Sequence, residues 1–220
     1  MLRPDRRWFI WVDAWTAAAS SSLIAAVADD LGQDLYTMID EGDDAGLRDW
    51  EAAGFTVHRR EHNYRVPTDL GGTRPSGALL PAGMSLISAD AVDEDGLRQL
   101  DDALRQDVPG AEGWVNDPQE FREYTFDDRH FDPATYLVAI DDVNQAYAGL
   151  ARVWNNPGRH RLGLIGVTAA YRRRGLATVL LAAVFAPLRD RGISEVAAEV
   201  DATNSASNAL LRGIGAQRTG

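Results

Sequence analysis

The sequence predicts an α/β fold: a mixed β-sheet flanked by helices, preceded by a partial repeat of the second half of that same arrangement. Three observations predict it. From residue 84 on, strand-like and helix-like segments follow in the order strand, helix, strand, strand, strand, helix, strand, helix. Residues 67–83 carry Pro67, Gly71, Gly72, Pro75, Gly77, Pro81 and Gly83, a density of turn formers that reads as a linker. The first 66 residues run strand, helix, strand, helix, strand, which repeats the second half of the larger part. The expected organisation is therefore a half-domain at 1–66, a linker at 67–83 and a larger domain at 84–220.

In the first part, residues 8–12 are apolar and aromatic and predict a strand. Residues 16–31 are alanine-rich, with Leu23, Ile24, Val27 and Leu31 at helical spacing, and Gly32 stops that helix. Residues 35–39 read as a strand, and 44–53 as a helix with Leu47 and Trp50 on one face, ended by Gly54. Residues 55–66 alternate loosely and carry charges, as edge strands do.

In the second part, 84–87 is the first strand, and 94–105 is a helix with Leu97, Leu100 and Leu104 on one side. Residues 106–134 are rich in Asp, Glu, Pro and aromatics and read as a loop with a short helix near 117–123. Strands follow at 136–140 and 146–153, then a turn at Asn155, Asn156, Pro157 and Gly158, then a strand at 161–168. A helix reaches about Arg191, with Pro187 expected to bend or shorten it. A strand at 195–200 and a helix at 205–212 complete the order.

The chain has 220 residues, 45% of them hydrophobic, and a formal net charge of −11. That apolar fraction is enough to bury a core. The acidity argues against a nucleic-acid partner, which would call for basic patches; it suits a cationic acceptor and equally plain solubility. The absence of cysteine excludes disulfides, thiolate metal sites and a cysteine nucleophile, and fits a reducing, cytoplasmic setting. His58, His62, His130 and His160 are scattered without ligand spacing, so no metal is expected. Arg3, Arg6 and Arg7 precede an apolar run, but Asp5 and Asp13 interrupt the pattern of a targeting segment, and no apolar stretch reaches the length of a membrane span.

Against this acidic background Arg172, Arg173 and Arg174 stand together, followed by Gly175, Leu176 and Ala177. An apolar strand, a basic turn with glycine and an apolar helix make an anion site, because the first N–H groups of a helix have no partner within it. Gly175 lets the backbone approach a ligand, and the arginines add charge-assisted bonds. The stretch resembles the pyrophosphate loop of the GNAT family of acyl-CoA-dependent N-acyltransferases, Arg/Gln-x-x-Gly-x-Gly/Ala, with Arg172, Gly175 and Ala177 at the defining positions. A second match lies downstream: Asn204, Ser207, Leu210, Leu211, Gly215 and Ala216 stand where the family has Asn, a small residue, Leu-Tyr and Gly-Phe. Asn204 is also a good helix N-cap in its own right.

The resemblance covers roughly residues 80–216 and implies direct transfer of an acetyl group from acetyl-CoA to a primary amine, with a small-molecule acceptor. A peptide N-acetyltransferase and a non-catalytic acyl-CoA binder or assembly module are the alternatives. It implies that Arg172, Arg173, Arg174, Gly175, Leu176 and Ala177 hold the pyrophosphate, that backbone N–H groups of Ile165, Gly166 and Val167 align the thioester, and that Asn204 belongs to the cofactor site. It implies Glu199 as the base that deprotonates the amine, with Glu195 and His160 as substitutes. Leu211 departs from the family's Tyr, so the general acid is unfilled; a thiol pKa near 8.5 lets the thiolate leave unprotonated. Tyr171 is the phenol nearest the loop in sequence. The acceptor is expected over residues 106–135, where Asp107, Asp117, Glu120, Glu123 and Asp128 alternate with Trp114, Phe121, Tyr124 and Phe126.

Laying Asp43 on Asn204 brings Met38 onto Glu199, Trp50 onto Leu211 and Gly54 onto Gly215. The counterpart of the basic loop, residues 13–17, has neither Arg nor Gly, so the first copy looks like half a GNAT domain without a cofactor site. The family continues after Ala216 into closing strands, for which 217–220 is short. The strand at 55–66, from the same chain or from a partner in a homodimer, is expected to cover the sheet near 195–200.

Overall fold

The computed structural model describes residues 1–13, 16–72, 79–156 and 158–220. Contacts divide the chain into two units, Met1–Arg60 with Gly113–Val115, and Glu61–Glu112 with Asn116–Gly220.

The first unit holds β1 (Trp8–Phe9), α1 (Ala17–Leu31), β2 (Leu35–Tyr36) and α2 (Asp44–Ala52). The two strands are parallel and only two residues long, shorter than the apolar runs around them. Thr16 caps α1 by accepting the Ala19 N–H, and Gly32 ends it in the left-handed region. Asp43 caps α2 through the Gly46 N–H, as Asn204 caps α6 (Ser205–Gly213) through the Ser207 N–H; both helices have nine residues. The repeat is thus visible in matched caps and lengths. Residues 14 and 15, in the loop that corresponds to the basic turn, lie outside the described residues.

The second unit is a seven-stranded sheet in the order β4-β5-β6-β7-β8-β3-β9. Its strands are β3 (Glu61–Pro67), β4 (Met84–Ser88), β5 (Tyr136–Asp141), β6 (Tyr147–Asn156), β7 (Arg159–Val167), β8 (Glu195–Asp201) and β9 (Gln217–Arg218). Every pair is antiparallel except β7 with β8. One face is covered by α5 (Leu176–Asp190) and α6, which bury Leu180, Leu181, Val184, Phe185, Leu188 and Leu211 against Ala151, Val153, Val196 and Ala198. On the other face, α3 (Glu94–Arg105) and α4 (Pro118–Thr125) bury Leu97, Leu100, Leu104 and Phe121 against Tyr136, Val138, Leu150 and Leu164. Each such side chain contributes about 1.5–3 kcal/mol when fully buried. Asp93 starts α3 by accepting the Gly96 N–H. Pro187 lies within α5, which continues to Asp190, so the expected shortening does not occur. Its missing N–H costs α5 one bond, to the Ala183 carbonyl four residues back.

The strand expected at 55–66 forms at 61–67, and it belongs to the second unit's sheet. β3 runs antiparallel to β8 along its whole length, from Glu61 opposite Asp201 to Pro67 opposite Glu195. Its other edge receives β9, with Tyr64 opposite Arg218. Tyr64 and Val66 are 3% and 0% exposed, so the alternation that looked like a surface edge is a core-facing stripe. The same chain therefore fills the place for which a second molecule was the alternative.

Candidate active site

β7 and β8 are adjacent and parallel, yet Arg161 opposite Ala197 is the one pair recorded between them among the described residues. The divergence has a local cause. Against β6, the register passes from Val153–Leu162 to Arg152–Leu164, leaving Gly163 as an extra residue. A bulge bends its strand and strengthens the twist. Only glycine fits there, since a Cβ would lie 2.2 Å from the Trp154 Nε1. Beyond the bulge, Ile165, Gly166 and Val167 line the β7 side of a wedge that opens at the carboxyl ends of both strands. That end of a parallel pair is where open α/β sheets take their ligands.

The wedge leads to the start of α5. The N–H groups of Arg173, Arg174, Gly175, Leu176, Ala177 and Thr178 donate to no acceptor among the described residues. Arg173 and Gly175 have φ of 65° and 78°, which turns successive N–H groups inward as an anion-binding nest. Gly175 supplies that conformation rather than space, as a Cβ there would meet nothing within 4 Å. Leu176, 2% exposed, anchors the helix start in the core. The three arginines differ. The Arg172 Nε donates to the Val167 carbonyl at 2.9 Å, and its guanidinium is paired with Asp107. Arg174 donates to the Ala170 carbonyl at 3.2 Å and lies 5.5 Å from the Tyr171 ring. Arg173 is exposed and has no ion pair or hydrogen bond with another described residue. The backbone nest and a free cation at its mouth fit a pyrophosphate.

Glu199 lies two residues beyond the vertex on β8, on the face that also carries Arg161, Trp154 and Arg152. Its Oε1 accepts from Arg159 at 3.0 Å and its Oε2 from Arg161. Its side chain is 12% exposed, while those of Arg159 and Arg161 are 70% and 41% exposed. Glu195 is exposed at the start of β8. His160 faces the other side of the sheet. Its Nδ1 meets the Asn155 Oδ1 at 3.1 Å, and the Asn155 amide donates to Thr135 Oγ1 at 2.7 Å. With the Asn155 oxygen turned toward it, Nδ1 is the donor of that pair. Leu211, 1% exposed, lies in the core, so no hydroxyl occupies the place of the family's Tyr. The Tyr171 hydroxyl donates to Asp141 Oδ2 at 2.8 Å. That bond, with the Val143 N–H, holds the Asp141 carboxyl below the usual range.

Residues 106–135 are more structured than a solvated loop. Asp117 caps α4 by accepting the N–H groups of Gln119 and Glu120, and Glu123 accepts from Gln119 at 2.8 Å. Asp128 accepts the His130 N–H. Asp107 faces Arg172 instead of an acceptor. Phe126 sits between Phe121 and Phe131, with centroids at 6.4 and 5.4 Å. Asp117 and Asp128 thus hold backbone, and Glu123 and Asp107 hold neighbouring side chains.

Two residues that sequence reasoning missed matter here. Asn208, 3% exposed, accepts from the Tyr64 hydroxyl at 2.7 Å and meets His62 Nδ1 at 2.9 Å, and donates to the carbonyls of Asp201 and Asn204. It fastens α6 to β3 and β8. Arg152, 8% exposed, donates to Thr125 Oγ1 at 3.1 Å and to the Tyr124 carbonyl at 2.9 Å. Its guanidinium lies 3.4 Å from the Trp154 ring centroid and 4.9 Å from that of Tyr136. Burial draws Arg152 down to about 10 and pushes Tyr136 up. A charge amid the apolar run of β6 was the available signal. A cleft lined by Asp128, His130, Asp132, Tyr136, Arg152 and Trp154 opens beside it.

A mixed sheet split by a bulge thus brings a row of unpaired helix-start N–H groups to the end of an open strand edge. The acetyltransferase (GNAT) family profile matches residues 97–216, and the chain belongs to that family. Mycothiol acetyltransferase of Clavibacter michiganensis is 33% identical over 178 residues, 78% of this chain and 55% of that protein. Mycothiol acetyltransferase of Renibacterium salmoninarum is 26% identical over 176 residues, 75% of this chain and 49% of that one. The chain thus spans about half the length of the curated relatives it matches. Among solved structures, a GCN5-related N-acetyltransferase from Sphaerobacter thermophilus superposes with a TM-score of 0.66 at 23% identity, over 84% of this chain and 56% of that one. A tandem GNAT protein from the clavulanic acid biosynthesis pathway gives 0.65 at 18% identity, over 91% of this chain and 66% of that one. The fold expected from the sequence, partial repeat included, is the fold of these proteins. No helix among the described residues is long and apolar enough to cross a membrane, and no group of three His, Cys, Asp or Glu among them could hold a metal ion.

Proposed function

We propose that this chain transfers an acetyl group from acetyl-CoA to the primary amine of a small molecule. The observation that carries the reading is the continuity of the β7–β8 wedge with the nest at the start of α5. The name of the curated relatives supports acetyl transfer. In this reading the N–H groups of residues 173–178 and the Arg173 guanidinium hold the pyrophosphate, aided by the positive end of α5. Asn204, which caps α6 through the Ser207 N–H, is assigned to the same cofactor site. Acetyl-CoA supplies the activated acyl group. Ile165 and Val167, alternate residues of β7, offer backbone N–H groups along its open edge, with Gly166 between them turned to β6; those groups stabilise negative charge as it develops on the acyl oxygen.

Glu199 takes the proton from the incoming ammonium. Its present partners are exposed guanidinium groups, so a cationic acceptor competes with two solvated charges rather than buried ones. With Leu211 in place of a phenol, the thiolate leaves unprotonated, which a thiol pKa near 8.5 permits.

Calorimetry with acetyl-CoA, followed by a thiol-release assay over a panel of amines, tests the reading. Binding together with amine-dependent thiol release is expected. No binding at millimolar acetyl-CoA overturns it. A second reading, a non-catalytic acyl-CoA binder, is favoured by the occupation of both Glu199 oxygens, and binding without thiol release from any amine would establish it.

A further inference from the structure

The cleft beside Arg152 has donors without acceptors. Its acidic members are already engaged: Asp128 accepts the His130 N–H, and Asp132 accepts the Ala134 N–H and pairs with Arg191. The His130 Nε2 meets the Arg129 Nε at 2.9 Å. Tyr136 lines the cleft, is 1% exposed, and its hydroxyl has no hydrogen-bond partner among the described residues. Arg152 uses one N–H on Thr125 and one on the Tyr124 carbonyl. A guanidinium has five donors, so the rest of its fork is unanswered. Buried donors without acceptors are uncommon in native proteins and call for a partner.

We infer that this cleft is the subsite for a carboxylate on the acceptor, and hence that the acceptor is an amine that also carries a carboxylate, as amino-acid-like compounds do. The role given to the bound molecule rests on the acetyl-transfer reading; the binding does not. Two features select the ligand. Trp154 covers one face of the guanidinium, leaving its edge to meet a planar, two-oxygen anion. The cleft opens on the sheet face that carries Arg161 and Glu199, so a molecule seated there has its amine on the side of the wedge.

Direct binding of N-acetylamino acids and of their carboxamides to the full chain, by calorimetry, tests this without requiring turnover. The acids should bind at least tenfold more tightly than the matched amides. Arg152→Gln should remove about 10- to 100-fold of the acid affinity, the span of a lost charge-assisted bond. Tyr136→Phe removes a single donor that has no partner, so the fold should keep its melting temperature or gain, while the acid-over-amide preference falls. This second variant keeps the test decisive if Arg152→Gln fails to fold. Equal binding of acids and amides, no binding of either at millimolar concentration, or a preference unchanged in Tyr136→Phe and in any folded Arg152 variant overturns the inference. Acetyl-CoA calorimetry on the same preparation reads separately: a chain that prefers acids but does not bind acetyl-CoA keeps the subsite and loses the transferase.

Discussion

Arg161 and Ala197 mark the place where two parallel strands part. Everything assigned to cofactor and acceptor follows from that parting, and the parting follows from the bulge two residues on, at Gly163.

Gly163→Ala should therefore damage both stability and site. The new methyl would meet the Trp154 indole, which stacks on Arg152 and has little room to move. Overpacking of this kind costs about 1–3 kcal/mol. Chemical denaturation should show that loss, with weaker acetyl-CoA binding in the same variant; a variant as stable as the parent with unchanged affinity would remove the bulge from the account.

Glu199→Gln keeps the shape and removes the base. The expected loss in kcat is roughly 10²–10⁴, shrinking as pH approaches the pKa of the amine, with the KM for acetyl-CoA unchanged. His160→Gln, altered on the opposite face, should leave kcat alone. If the two variants exchange behaviour, the base is the His160 Nε2.

Residues 80–220 expressed alone lack β3, and so leave the edge of β8 bare and the space of Tyr64 and Val66 empty. Each of those side chains is worth about 1.5–3 kcal/mol of burial, a large share of the usual stability of a domain. That fragment should aggregate or melt without cooperativity. Cooperative melting with full acetyl-CoA binding would show that β3 is dispensable.

Tyr171→Phe should raise the Asp141 carboxyl toward its ordinary value, since the phenol is the largest cause of its depression. For a carboxyl depressed in the folded state, the linked stability is present above the unfolded-state pKa and is lost as pH falls through the folded-state value. The parent's acid limb should thus lie lower in pH than the variant's. Carbon-13 titration of Asp141 checks the shift directly, and identical titrations would dismiss the bond.

The elements with a long apolar stripe were legible in the sequence. The spacing of Leu97, Leu100 and Leu104 gave α3, and the apolar run after Gly175 gave α5. The nest was legible because its residues are contiguous. What could not be read were interactions whose halves lie far apart in the chain. Arg159 and Arg161 stand 40 and 38 residues before Glu199, and Asn208 meets Tyr64 across 144. Period-two alternation showed that 61–67 has two faces, but not which sheet receives it. In the acidic stretch at 106–135 the sequence could not separate roles, because a carboxylate that caps a helix and one that attracts a ligand are the same letter. Arg152 was passed over because a single charge in an apolar strand carries no spacing to recognise.

The insertion of β3 between β8 and β9 sets a timetable for synthesis. β3 leaves the ribosome before both of its neighbours, which are encoded more than a hundred residues later. At about 5–20 residues per second, the wait for β8 is roughly 6–26 s. Throughout that interval β3 presents Tyr64 and Val66 and two unpaired edges, open to the β3 of a neighbouring nascent chain. Yield on expression should therefore depend on translation speed and on chaperones that mask a lone strand, whatever the stability of the finished protein.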